Sequence, residues 1–164
     1  MERIPSSDAT GDWLRRSFDN GGLSALAAVN RELLKRGLSD DGITSYTLDI
    51  DATGIEAEKQ SARVTYKGYR GYMPMVGHLA ENGLIVADEF RHGNEAPSHR
   101  NLAFLQYCER QMPAGKRIGA FRADSAAYQA GIMEYCHDHG IAYVIGADLD
   151  RGVLEQIGRL GNDA

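Results

Sequence analysis

Six residues at positions 46–51, Tyr-Thr-Leu-Asp-Ile-Asp, constrain the fold more than any others in the chain. Apolar and polar side chains alternate there with period two, which predicts a β-strand. Alternation sends Leu48 and Ile50 to one face and Thr47, Asp49 and Asp51 to the other. The strand therefore has a core side and a side that carries two carboxylates.

The rest of the chain supplies what such a strand needs. Ser7, Asp8 and Thr10 are N-cap candidates for a helix over 8–17, and Leu23, Leu26, Ala27, Leu33 and Leu34 recur at helical spacing over 22–36. Residues 52–71 are polar and contain glycine, and read as a long loop with at most a short strand at 62–67. Two strands, 72–80 and 84–91, are joined through Asn82-Gly83, a strong hairpin signal. A helix over 98–111 places Leu102, Leu105 and Cys108 on one face, and a strand over 117–124 ends at Asp124. The next segment reads as one helix from 125 closed by Gly140, followed by a strand over 141–148 and a short helix over 151–160. This order predicts an α/β domain, a mixed sheet flanked by helices and preceded by a short helical segment. At 164 residues there is room for one sizeable core.

Composition excludes some classes of function. The hydrophobic share of 43% and charged share of 25% are those of a soluble globular protein. No apolar run approaches a membrane span, and residues 1–13 lack the apolar stretch of a signal peptide, so no membrane partner is expected. Cys108 and Cys136 make no disulfide framework, which points to a reducing, cytoplasmic setting. A net charge of −5 argues against binding nucleic acid with the whole surface, but leaves room for a local basic strip. Lys59, Arg63, Lys67 and Arg70, interleaved with Tyr66 and Tyr69, form such a strip; they read either as a DNA-facing loop or as a solvated one.

The acids are the candidates for chemistry. Asp51 and Asp124 each end a strand, where α/β folds gather ligands. Carboxylates converging there repel one another unless a divalent cation neutralises them, and hard oxygen ligands suit Mg²⁺ or Mn²⁺. Strand-end aspartates also serve as caps, so spacing alone leaves both readings open. Cys136, His137 and His139 invite a zinc reading, but a fourth ligand would have to come from the distant Cys108, and Cys136 also suits a packed core.

The blocks TLDIDATGIEAEK, TYKGYRGYMPMVGHLAENG, DEFRHGN, FRADSAAYQAGI and YVIGADLD, in this order, resemble the catalytic core of DDE transposases from bacterial insertion sequences. These are cut-and-paste enzymes with an RNase H-like fold. The resemblance implies metal-dependent DNA cleavage and strand transfer at transposon ends and in target DNA, with Mg²⁺ or Mn²⁺ held by Asp51 and Asp124. Asp51-Ala52-Thr53 fits the position of the first catalytic acid, with Asp49 as the fallback, and Asp124 fits the second. Arg91 and Asn94 also match family positions, whereas His92 and His99 read as surface residues. The family's third acid, a glutamate in a Tyr–Arg–Glu–Lys signature beyond an inserted domain, has no counterpart in the 164 residues; Glu155 is the one substitute, against a solvated helix face.

The resemblance thus implies a fragment: a helical lead-in at 1–42 and a catalytic core at 43–164 that lacks the third acid and is inactive alone. The alternatives are a catalytically dead module that binds DNA or a partner, and a stand-alone RNase H-like nuclease that uses Glu155. Self-association is expected only of a full-length protein.

Overall fold

Eight strands and five α-helices are found in the computed structural model, which describes residues 4–18, 21–147 and 150–159. Helices α1 (Ser7–Phe18) and α2 (Gly22–Gly37) come first, followed by β1 (Ser45–Ala52). Three short strands follow, β2 (Ile55–Glu56), β3 (Arg63–Val64) and β4 (Arg70–Tyr72), and then the hairpin β5 (Met75–Leu79) and β6 (Ile85–Glu89). The remainder is α3 (Asn101–Gln111), β7 (Arg117–Ala123), a 3-10 turn at Ser125–Ala127, α4 (Ala130–Asp138), β8 (Ala142–Ile145) and α5 (Arg151–Arg159). None of the described helices is long and apolar enough to cross a membrane.

The main sheet has the order β6-β5-β1-β7-β8. β1 is its central strand. β1 runs antiparallel to β5 and parallel to β7, β5 is antiparallel to β6, and β7 is parallel to β8. This is the mixed sheet flanked by helices, with short helices at the amino-terminal side, that the RNase H-like expectation describes.

The core lies on one face. Leu48, Ile50, Met75, Leu79, Val86 and Phe121 from the sheet meet Leu34 of α2, Leu38 just beyond it, Phe104, Leu105 and Cys108 of α3, and Ile132 and Cys136 of α4. Of the apolar positions expected to form the inner face of α2, only Leu34 is buried; Leu23, Leu26 and Leu33 stay exposed. Burying the core side chains removes about 25 cal/mol from the free energy per Å² of apolar surface, so this face holds the sheet together.

Three expectations are corrected. Residues 52–71 are not one loop: β2, β4 and β3 form a small antiparallel sheet, with Gly71 at its centre because a Cβ there would meet the Ile55 carbonyl. The helix expected from 98 starts at Asn101, since Arg100 before it adopts a left-handed φ of 56°. The helix expected from 125 is a 3-10 turn capped by Asp124 and then α4, with Gln129 in extended conformation between them. Asn20, expected in the break before α2, and Asp148 and Leu160, expected at the ends of a strand and a helix, lie outside the described residues.

Candidate metal centre

Parallel pairing of β1 with β7 sets the site. Leu48 is opposite Phe121, Asp49 opposite Arg122 and Ile50 opposite Ala123. One residue further along each strand come Asp51 and Asp124. Neighbouring strands lie about 5 Å apart, so the register brings these two acids to one end of the sheet. Both are exposed, and by alternation both belong to the face opposite the helices.

The two acids are held differently. Asp51 is fixed through its backbone, paired with Val76 of β5, and its carboxylate has no hydrogen bond or ion pair among the described residues. Asp124 caps the turn that follows it: its Oδ1 accepts from the Ala126 N–H at 3.0 Å. Gly146, just after β8, donates its N–H to the Ala123 carbonyl at 3.1 Å. A Cβ at that glycine would come within 3.3 Å of the Asp124 carbonyl carbon, so a glycine is what lets β8 close on this strand end.

Asp49, two residues before Asp51, sits in another electrostatic setting. Its Oδ1 accepts from Arg122 Nε at 2.6 Å and its Oδ2 from Arg122 Nη2 at 2.5 Å, while His78 Nε2 lies 3.6 Å from Oδ2. Hydrogen bonds from Arg122 hold its carboxyl below the usual carboxylate range, against the opposing effect of burial, with the Arg122 and His78 charges adding to the lowering. A carboxylate already engaged by a bidentate guanidinium is poorly placed to ligate a cation. The geometry favours Asp51 over Asp49.

Glu155 sits on α5, which buries no side chain, and it accepts from Arg151 Nε at 2.9 Å. That is the solvated helix face. Among the described residues no group of three or more His, Cys, Asp or Glu side chains could hold a metal ion, so nothing joins Asp51 and Asp124 as a third ligand.

Lys59, Arg63, Lys67 and Arg70 are all exposed, on and around the small sheet. This sheet grows from the Asp51 end of β1, where the Thr53 N–H donates to the Pro74 carbonyl at 3.0 Å. Arg70 is partly committed, donating through Nη2 to the Ala62 carbonyl at 3.0 Å, and Lys67 Nζ lies 5.6 Å from the Tyr66 ring centre.

The zinc reading fails on burial. Cys108 and Cys136 are both fully enclosed in the core, and burial, with the Glu109 charge adding to it, pushes their thiols up to about 12 and about 11. Both are packed among core side chains, and among the described residues they join no group of three or more His, Cys, Asp or Glu side chains that could hold a metal. His137 is exposed, and His139 stacks on Tyr135 with ring centres 3.9 Å apart.

Sequence reading missed the partners of these acids. Nothing in the sequence near Asp49 announces Arg122, which lies on another strand. Arg91 stands out in the sequence only by resemblance; its burial beside Asn101 follows from the packing of α3 against the segment after β6. Asn94, His92 and His99 are exposed.

The chain is similar to the catalytic core domain of HTLV-2 integrase, solved in complex with magnesium in a trimeric form, at 16% identity over 72% of this chain and 67% of that one, with a TM-score of 0.41. It is also similar to the catalytic core domain of BIV integrase at 18% identity, over 70% and 64% of the two chains, with a TM-score of 0.40. A third similarity is to a simian T-cell lymphotropic virus intasome in complex with PP2A regulatory subunit B56 gamma: 13% identity, 72% and 37% coverage, TM-score 0.45. No curated protein matches the chain. The family model described as Transposase DDE domain group 1 matches residues 3–163, nearly the whole chain, and the chain belongs to that family of DDE transposase domains.

Proposed function

We propose that this chain is the catalytic core of a cut-and-paste transposase from a bacterial insertion sequence, in which Asp51 and Asp124 hold Mg²⁺ or Mn²⁺ for DNA cleavage and strand transfer. The observation that carries the reading is the pair of exposed carboxylates at the same end of two neighbouring parallel strands, one residue past Ile50 and Ala123. The donor set fits the ion. Mg²⁺ is commonly held by one or two carboxylates, with waters and phosphate oxygens completing its shell. When bound, such an ion polarises a phosphodiester and makes a water or hydroxyl a better nucleophile.

The chain's own residues set the stage for that chemistry. Asp51 offers both carboxylate oxygens, and Asp124 offers Oδ2 while Ala126 keeps Oδ1 in place. Arg122 is engaged by Asp49 and does not compete for either acid. Lys59, Arg63, Lys67 and Arg70 would contact phosphates of transposon ends or target DNA beside the acids. The division into a lead-in at 1–42 and a core at 43–164, a cytoplasmic setting and self-association of a full-length transposase belong to the same reading.

The second reading, a catalytically dead module that binds DNA or a partner, draws on one observation. Two-metal phosphoryl transfer needs ligands on both sides of the phosphate, and no third acid joins the pair among the described residues. The 164-residue chain should therefore bind DNA weakly, with strong salt dependence, and neither nick nor join it.

The test is a cleavage assay on supercoiled plasmid and transposon-end duplexes in Mg²⁺ and in Mn²⁺, run beside thermal melts with and without the metal. The expected result is no cleavage, together with a metal-induced rise in melting temperature that Asp124→Asn removes. A rise that persists in Asp124→Asn would overturn the metal site. Nicking that disappears in Asp51→Ala would overturn the two-acid account and turn attention to Glu155, whose change to Gln should then stop the reaction.

A further inference from the structure

Two polar side chains in the core take no part in the chemistry above. Arg91 is 1% exposed and Asn101 is 2% exposed. A guanidinium cannot shed its charge, so its burial demands partners. Arg91 Nη1 donates to Asn101 Oδ1 at 3.1 Å and to the Pro97 carbonyl at 3.5 Å. Glu89 Oε1 lies 3.4 Å from Arg91 Nε and 2.6 Å from Arg100 Nη2, ion pairs rather than aligned hydrogen bonds. Arg91 Nε and Nη2 are buried without a hydrogen bond among the described residues. Keeping a cation in the core on these terms is costly, which calls for something in return.

Asn101 converts that charge into a direction. Arginine has only donors, so Asn101 must turn Oδ1 towards it, and Nδ2 is thereby aimed the other way. There Nδ2 donates to the Ala126 carbonyl at 3.2 Å. Reversing the amide would set donor against donor and acceptor against acceptor. The same carbonyl accepts from Gln129 Nε2 at 3.1 Å, and Gln129 in turn holds the Ser98 carbonyl at 2.8 Å. Ala126 is thus gripped by its carbonyl from two sides, and its N–H is the one that holds Asp124 Oδ1.

We infer that Asn101, oriented by the buried Arg91, is a positioning residue that aims the Asp124 carboxylate at the cation through the backbone of Ala126. The inference rests on the reading of Asp124 as a metal ligand. Asn101 touches neither metal nor substrate. It fixes the turn over 125–127, and the turn fixes which oxygen of Asp124 is free. Groups that orient a metal ligand from behind are worth about 10–100-fold in metal affinity.

Asn101→Asp separates this role from simple packing. It keeps an acceptor for Arg91, now charged, but replaces the donor that faces Ala126 by a second acceptor. Gln129→Ala removes the other donor to the same carbonyl from a less buried position. The probe is Mn²⁺ alone, with free ion followed by electron paramagnetic resonance, well below the melting temperature of each 164-residue chain. Wild-type protein should bind Mn²⁺ and Asp124→Asn should not; a failure here removes the metal site itself, and the inference with it.

Given that result, Asn101→Asp should weaken Mn²⁺ roughly tenfold while circular dichroism stays that of the folded wild type. Gln129→Ala should weaken it less, in the same direction. Wild-type affinity in both folded variants would overturn the positioning role and leave the metal site standing. If Asn101→Asp does not fold, Gln129→Ala decides alone, and wild-type affinity there overturns the inference.

Discussion

Asp49 and Asp51 stand two residues apart on one strand and one face, yet the sheet treats them in opposite ways. Asp49 lies in a row with His78 on one side and Arg122 on the other, and its charge is matched. Asp51 lies in the next row, between Val76 and the strand end that leads to Asp124, and its charge is not matched. Matching a carboxylate is what a chain does for stability. Asp51 has no partner among the described residues and Asp124 has only the Ala126 N–H, and two carboxylates so placed at one end of the sheet are the donors that a hard divalent cation takes. The same contrast recurs at the other end of β1. There Asp41 accepts from the Tyr46 hydroxyl and from Lys116 Nζ, so that acid too is a structural one.

The largest expected effect comes from breaking the unmatched pair. With Mg²⁺ at about a hundred times its dissociation constant, wild type should gain roughly 2.7 kcal/mol of stability. Asp51→Asn should lose essentially all of that gain. Without metal the same variant should be no less stable than wild type, because it removes one of two like charges. Thermal melts across a Mg²⁺ titration read both halves; a clear loss of stability in metal-free Asp51→Asn would mean that Asp51 has a structural partner.

Asp49→Ala should do the reverse. It strips Arg122 and His78 of their anion and should cost about 1 kcal/mol or less, since Arg122 is half exposed. The metal-induced gain should survive, because Asp51 and Asp124 are untouched. Chemical denaturation with and without Mg²⁺ measures the two quantities separately. Loss of the metal response here would show that Asp49 is a ligand after all.

This division was only half legible in the sequence. Period-two alternation exposed β1 and its two faces, and Asn82-Gly83 marked the hairpin correctly, with Gly83 at a φ of 72°. Both are local signals. What separates Asp49 from Asp51 is not local: Arg122 reaches Asp49 only because β7 pairs with β1 in one particular register. The small sheet was unreadable for a related reason. Strands of two residues, such as Ile55–Glu56 and Arg63–Val64, are too short to show alternation, and only their pairing with β4 defines them. Likewise Asp124 read as the last residue of a strand before a helix. Its capping of the 3-10 turn, and the grip of Asn101 on that turn, depend on α3 coming to lie beside it.

The smallest effect concerns the matched acids under acid. Hydrogen bonds from Tyr46 and Lys116 lower Asp41 from 3.8 to about 2. A depressed carboxyl contributes stability that is present above its unfolded value and lost as pH falls through its folded value. Wild type should therefore lose the Asp41 contribution as pH falls from about 4 to about 2, and Asp41→Asn should show a shallower acid limb over that window. Asp49, lowered by Arg122, adds a further loss of the same sign. Melting temperatures measured down the acid range test this, and identical limbs in wild type and Asp41→Asn would contradict it.

We propose that Asp51 and Asp124 jointly hold a divalent cation while Asp49 does not. The most direct test is anomalous diffraction from a crystal of the full chain grown with Mn²⁺. A manganese peak bridged by the carboxylates of Asp51 and Asp124, with Asp49 still bound to Arg122, is the predicted result. Manganese bound elsewhere, or carried by Asp49 with Arg122 displaced, would contradict the account.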